Sequence, residues 1–299
     1  MNYLRAWFFA ISFVFVLQAN ASDLKSKEDF CKQVNKRFKE FKWKRIICNP
    51  ERWDVYGYSS QGNPILYQKF GFEIDDSSIP VNLVLCSIHG DEANGSYACF
   101  HIVRDMIYGR LRDLKKMKIV VAPIVNPDGF LNRTRTNARG VDINRNLPTA
   151  DWDGNSLKVW KSYKNDPNKY PGEKANSEIE SQFQVELIRR FSPDKVIAIH
   201  APYGFIDIDG PGDSKYYGAW QLSKKARLVA LDMQAESKNF LKLVDFRFFP
   251  GSLGNYAGNE RKIPTYTIEL PATDTSKADF YWTILRKPLL NAMTIKVNN

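Results

Sequence analysis

The stretch Val81-Asn82-Leu83-Val84-Leu85-Cys86-Ser87-Ile88 runs almost without polar interruption into His89-Gly90-Asp91-Glu92. A short, nearly continuous apolar run of this kind reads as a strand buried on both faces of a sheet. The residues after it, from about Asn94 to Tyr108, carry a helical apolar pattern. A second apolar strand, Lys118 to Val125, stops at Asn126-Pro127-Asp128-Gly129, a turn signal. After an irregular stretch from about 132 to 174, Ser177-Glu178-Ile179-Glu180 opens a helix to Arg190, with Ser177 as its expected cap. A strand over 195–199 then delivers His200. A helix over 219–240, a strand over 264–270 and a last helix over 277–297 complete the pattern. Strands alternating with helices predict an α/β sheet covered on both faces. Active groups in such sheets gather at strand ends, and His89, His200 and Glu269 all fall there.

Working back toward the N-terminus, residues 55–70 read as a hairpin around Ser60-Gln61-Gly62-Asn63, and 22–44 as a helix with charged faces. The first residues show a basic start with Arg5, an apolar run from Ala6 to Val16, and Ala19-Asn20-Ala21 before Ser22. That is the layout of a secretory signal peptide cleaved after Ala21. Its apolar run is shorter than the ~20 residues of a membrane span. No later segment is apolar enough to cross a bilayer, so no stable membrane insertion is expected once the leader is removed. The expected organisation is a signal peptide at 1–21, an N-terminal extension at 22–54 and one catalytic domain at 55–299. The expected location is periplasmic or secreted.

The formal charge is +10, with basic residues scattered in pairs such as Lys115-Lys116, Arg189-Arg190 and Lys224-Lys225. Such pairs mark solvated faces, and the interleaved aromatic and basic stripe of single-strand binders is missing, so no nucleic-acid partner is expected. Of the four cysteines, Cys31 and Cys48 flank a basic, aromatic stretch and could pair. Cys86 and Cys99, in a strand and its following helix, are read as buried free thiols at least as readily as a pair.

The chemistry lies in the histidines, of which the chain has three: His89, His101 and His200. A catalytic zinc takes three protein ligands from nitrogen and carboxylate donors and keeps a fourth position open. His89 and Glu92, three apart and leaving a buried strand, can converge on one ion, and His200 can join them only through the fold. His101 lies mid-helix and reads as structural. Glu269 interrupts the apolar run Ile268 to Leu270, where a carboxylate needs a partner or a task.

From about Asp54 onward the chain resembles the zinc carboxypeptidase family of the pancreatic carboxypeptidase A type. The matching segments are Ser87 to Glu92, Asn126 to Gly129, Thr134 to Asn146, Ala198-Ile199-His200 and Thr267-Ile268-Glu269-Leu270, in the family's order. The resemblance implies a mixed, twisted sheet of about eight strands with helices on both faces. It implies one Zn2+ ion held by His89, Glu92 and His200, with Glu269 as the glutamate that takes a proton from the metal-activated water. Arg135 matches the arginine that stabilises the oxyanion, Asn144 and Arg145 the pair that grips a substrate carboxylate, and Asp142 the acid that orients a histidine ligand.

The chain departs from the digestive members in Val244 to Gly254, where no tyrosine precedes Gly251, while Tyr256 lies downstream. The length, the leader, Thr134 to Ala138 and His200-Ala201-Pro202 are more similar to the bacterial murein peptide amidases of this fold. That likeness implies murein stem peptides as substrate, cut between γ-D-glutamate and meso-diaminopimelate. The competing readings are a general periplasmic carboxypeptidase, an acyl-amino-acid deacylase and an inactive envelope-binding protein.

Overall fold

The computed structural model describes residues 26–111, 117–210, 224–244, 246 and 248–297. The expected signal peptide lies outside them, as does the start of the helix expected over 219–240. The eight strands are β1 (Asp54–Tyr58), β2 (Pro64–Phe70), β3 (Val81–Cys86), β4 (Lys118–Ile124), β5 (Lys195–His200), β6 (Phe205–Ile208), β7 (Lys242–Val244) and β8 (Thr265–Glu269). They form one sheet in the order β1-β2-β4-β3-β5-β8-β6-β7. The centre, β4-β3-β5-β8, is parallel, whereas β1-β2, β2-β4 and β6-β8 are antiparallel. This is the mixed α/β sheet that the sequence predicts.

The near-continuous apolar strands follow from burial on both faces. In β3, Val84 and Cys86 enter one core and Leu83 and Leu85 the other. In β5, Ile197 and Ile199 take the first face, Val196 and Ala198 the second. Helical residues 26–40 (α1), α2 (Asn94–Ile107), α6 (Lys224–Glu236) and α7 (Ala278–Thr294) contribute to the first core, and α5 (Ile179–Phe191) to the second. α1 thus buries Phe30, Val34 and Phe38 in the same core as the sheet. No described helix is long and apolar enough to cross a membrane.

Three local readings change. Asn126-Pro127-Asp128-Gly129 is not a free turn but the start of α3 (Pro127–Asn132), because Asn126 accepts a hydrogen bond from the Gly129 N–H at 2.9 Å and Pro127 needs no donor partner in the first turn. The irregular stretch contains α4 (Trp152–Ser162), whose Gly154-Asn155 pair weakens its helical signal. Cys86 and Cys99 are disulfide-bonded, as are Cys31 and Cys48. The helix packs back on the strand it leaves, which brings the Cys86 and Cys99 Cα atoms to 6.5 Å.

Candidate active site

The loop between β3 and α2 is shaped before any ligand is considered. Ser87 turns the chain out of the strand with φ 46°, and the Glu92 N–H closes a turn on the His89 carbonyl at 3.2 Å. A Cβ on Gly90 would lie 1.9 Å from the Gly129 carbonyl carbon, so only glycine lets this loop press against α3. Asp128 in turn accepts from Ser59 Oγ at 2.5 Å and Asn63 Nδ2 at 2.8 Å, which pins the β1–β2 turn. The Asn126 to Gly129 motif is therefore a buttress under the His89 loop.

On that buttress, His89 and Glu92 meet His200 at the end of β5, and all three are buried. His89 Nδ1 lies 2.8 Å from Glu92 Oε1, His200 Nδ1 2.8 Å from Glu92 Oε2, and the two Nδ1 atoms 3.1 Å apart. Imidazole nitrogens that face each other this closely cannot both carry protons. Burial and the Arg135 charge push His89 down, but Glu92 and Asp142 overrule them and raise it to about 9. Burial pushes His200 below its ordinary range. Burial also opposes ionisation of Glu92, yet His89 and His200 hold its carboxyl well below the usual value. Two nitrogens and a carboxylate turned to one point are the donor set that a catalytic zinc takes, so the residues fit the ion.

Around this trio the loop after α3 supplies the next layer. Asp142 Oδ1 sits 3.1 Å from His89 Nε2, fixing the ring with Nδ1 toward the trio. Arg135 donates to Asp142 Oδ2 and to Glu92 Oε1, each at 3.1 Å. Burial disfavours the Asp142 charge, but Arg135 and His89 outweigh it and hold its carboxyl well below the usual range. Asn144 Oδ1 accepts from the Leu253 N–H at 2.8 Å, tying this loop to the Gly251-Ser252-Leu253 segment. Arg145 lies over the Phe249 ring, 4.5 Å from its centroid, and donates to the Asn144 carbonyl at 2.7 Å.

Glu269 ends β8 directly beside His200 in the parallel register. Burial first, then the Glu92 charge, push its carboxyl up to about 8, and its Oε2 has no hydrogen-bond partner. His89, Arg135, Asn144, Arg145, His200 and Glu269 line a single cavity of about 580 Å³. Glu92 and Asp142 stand behind its wall.

His101 lies apart from the trio, buried between Tyr97 and Trp282 and lowered to about 4 by burial, and neither ring nitrogen has a hydrogen-bond partner among the described residues. Tyr256 is buried in the second core and does not line the cavity. The cavity also takes in Phe246 of the segment Val244 to Gly254, and Phe205, Asp207 and Asp209, which the sequence pattern did not single out. Their signal was the alternation Phe205-Ile206-Asp207-Ile208-Asp209, a half-buried strand with acids on one face.

A buried two-histidine, one-carboxylate trio at strand ends, with a second carboxylate in the same cavity, defines a metal-dependent hydrolase. Residues 48–217 match the zinc carboxypeptidase family, and the chain belongs to it as a metallopeptidase. It is 31% identical over 219 residues to murein peptide amidase A of Vibrio campbellii, covering 72% of this chain and 78% of that one. The Escherichia coli K12 murein peptide amidase A is 32% identical over 161 residues, covering 53% of this chain and 62% of that one. The fold is shared with murein-tripeptide amidase of E. coli O157 at TM-score 0.54 and 24% identity, covering 79% of this chain and 91% of that one. It is shared also with carboxypeptidase A of Helicoverpa armigera at TM-score 0.63 and 20% identity, covering 88% and 71%. Glu269 lies beyond the matched segment 48–217, so its place rests on the register of β8 against β5.

Proposed function

We propose that this chain is an exported zinc peptidase that hydrolyses an amide bond in peptidoglycan stem peptides, between γ-D-glutamate and meso-diaminopimelate. The observation that carries the reading is the convergence of His89, Glu92 and His200 beside Glu269 at one cavity. The murein peptide amidases among its relatives support the choice of substrate.

In this reading His89, Glu92 and His200 hold one zinc ion, which when bound activates water and polarises the scissile carbonyl. Glu269 takes the water's proton and passes it to the leaving amine. Its raised affinity for protons suits both halves of that task. Asp142 keeps the His89 ring in its ligating orientation. Arg135, braced by Asp142, places a fixed positive charge where the oxyanion develops. Asn144 and Arg145 receive a carboxylate of the leaving residue, for which a guanidinium fork has the matching planar geometry. The Gly251 to Leu253 segment, bonded to Asn144, holds that arm in position. The basic balance of the chain, formally +10, is compatible with an anionic substrate or with the anionic cell envelope.

The test is digestion of purified muropeptides by the zinc-loaded protein, with mass spectrometry of the fragments. Release of meso-diaminopimelate, or of peptides beginning with it, is the expected result. Release of only C-terminal residues from ordinary peptides would replace this reading with a general carboxypeptidase, and release of an acyl chain with a deacylase.

A further inference from the structure

We propose that Asn137 is a positioning residue for the hydrolysis, clamping the loop that carries Arg135 and Asp142 to the buried Glu178 at the start of α5, a role that rests on the reading of Arg135 as the oxyanion's partner.

The loop folds back on itself around this one side chain. The Asn137 N–H donates to the Val141 carbonyl at 3.0 Å, and the Asn137 carbonyl accepts from the Gly140 N–H at 3.0 Å. Gly140, at φ 74°, supplies the left-handed residue that so tight a return needs. Asn137 Oδ1 accepts from the N–H groups of Arg139 at 3.1 Å and Val141 at 3.0 Å. Arg135 and Asp142 stand just outside this bracket, and their side chains meet across it, with Arg135 Nη2 donating to Asp142 Oδ2 at 3.1 Å. The shape of the bracket therefore sets how the Arg135 guanidinium is presented to the cavity. The Arg135 carbonyl, by contrast, is held by two long bonds, from the Gly90 N–H and from Asn126 Nδ2, each at 3.4 Å.

The far side of Asn137 is anchored. Its Nδ2 donates to Glu178 Oε2 at 2.8 Å and to Glu180 Oε2 at 3.2 Å. Two donors and two acceptor sites are thus all used, which an amide can do and a carboxylate or hydroxyl cannot. Asn137 is 3% and Glu178 2% exposed, so water does not replace a lost bond cheaply. Glu178 is itself fixed, because its Oε1 accepts from Ser177 Oγ at 2.7 Å and its N–H donates to Asn146 Oδ1 at 3.1 Å. Behind it, α5 seats Phe183 and Leu187 in the second core. Arg139 Nε also lies 3.5 Å from Glu178 Oε2, but its side chain is 60% exposed and the pair adds little. The clamp therefore runs from a packed helix through one amide to the loop that carries the charge.

The test uses the zinc-loaded full chain and the tripeptide L-alanyl-γ-D-glutamyl-meso-diaminopimelate. Asn137→Asp keeps the Oδ1 acceptor and turns a carboxylate oxygen toward Glu178. It should lower kcat by about 10-fold to 100-fold, the scale for a displaced transition-state charge, with KM and zinc content those of the parent. In an Arg135→Ala background the same change should lower kcat by less than about twofold, because the group it positions is gone. The pair N137D/E178Q restores the bond with donor and acceptor exchanged, and should raise kcat at least about fivefold above N137D alone. A fall of equal size with and without Arg135, a parent-like kcat in N137D, or no recovery in the pair each overturns the clamp while the proposed function stands. A parent-like kcat in R135A removes the role of Arg135 and the clamp with it. A parent protein that leaves the tripeptide uncut overturns the proposed function itself. Should N137D fail to fold, Asn137→Ser, which removes the donor without adding a charge, is carried through the Arg135→Ala cycle with the same expected outcomes.

Discussion

The central parallel strands carry buried polar groups at both ends, and the two ends treat them differently. At the N-terminal end, the fully buried Lys195 donates to the carbonyls of Ala292 in the last turn of α7 and of Ile295 just after it, and Asn82 Nδ2 to Met293 O at 3.3 Å. A positive charge at a helix C-terminus is compensated by the free carbonyls there. At the C-terminal end, His89, Glu92 and His200 turn toward one another, braced by Asp142 and Arg135, and among the described residues His200 Nε2 and Glu269 Oε2 have no hydrogen-bond partner. At the first end the buried charge is met by the protein's own backbone, and only the uncharged Asn82 Oδ1 is left without a hydrogen-bond partner among the described residues. The other leaves its charges to be completed by something the chain does not supply, and that separates a structural polar core from a reactive one.

The largest effect on this contrast is expected from Glu269→Gln, which keeps the shape and removes the carboxylate proposed as proton acceptor. It should lower kcat by about 10²–10⁴-fold while zinc remains bound by elemental analysis. Unchanged turnover would move Glu269 out of the reactive end. At the opposite end, Lys195→Met should leave kcat and KM as they are and cost about 1–3 kcal/mol in urea unfolding, because α7 loses the donor that its final carbonyls share. Full stability would mean that Lys195 is a tolerated charge rather than the closure of that end.

A third site sharpens the rule. Glu180 is buried, with Oε1 unpartnered and Oε2 accepting from Asn137 Nδ2 at 3.2 Å, and burial raises it to about 7. A folded-state value above the unfolded one favours the native state below about 4.5, and that contribution is lost as pH rises through about 7. Glu180→Gln should therefore raise stability at pH 8 by on the order of 1–3 kcal/mol and change it little at pH 4. Equal effects at the two pH values would show that Glu180 is not protonated in the native state.

The reactive end was the more legible of the two in the sequence. His89, Glu92, His200 and Glu269 each leave a strand whose apolar run is long enough to read, and burial on both faces makes such runs conspicuous. β6 and β7 were not read individually, because four and three residues at the far edge of the sheet give too little periodicity to separate from loop. With β6 went Asp207 and Asp209. Lys195 reads as an ordinary charged strand start, and nothing near it in sequence announces the helix end that receives it a hundred residues later. The Cys86 to Cys99 bond was likewise hidden, since it depends on how α2 folds back on β3.

The proposed chemistry requires the two imidazoles and the Glu92 carboxylate to surround one divalent ion. Anomalous diffraction at the zinc edge, on crystals of the zinc-loaded protein and of its His200→Ala variant, tests it most directly. One strong peak is expected between His89 Nδ1, His200 Nδ1 and Glu92 in the parent protein, and none there in the variant. A peak elsewhere, or one that survives the loss of His200, would contradict it.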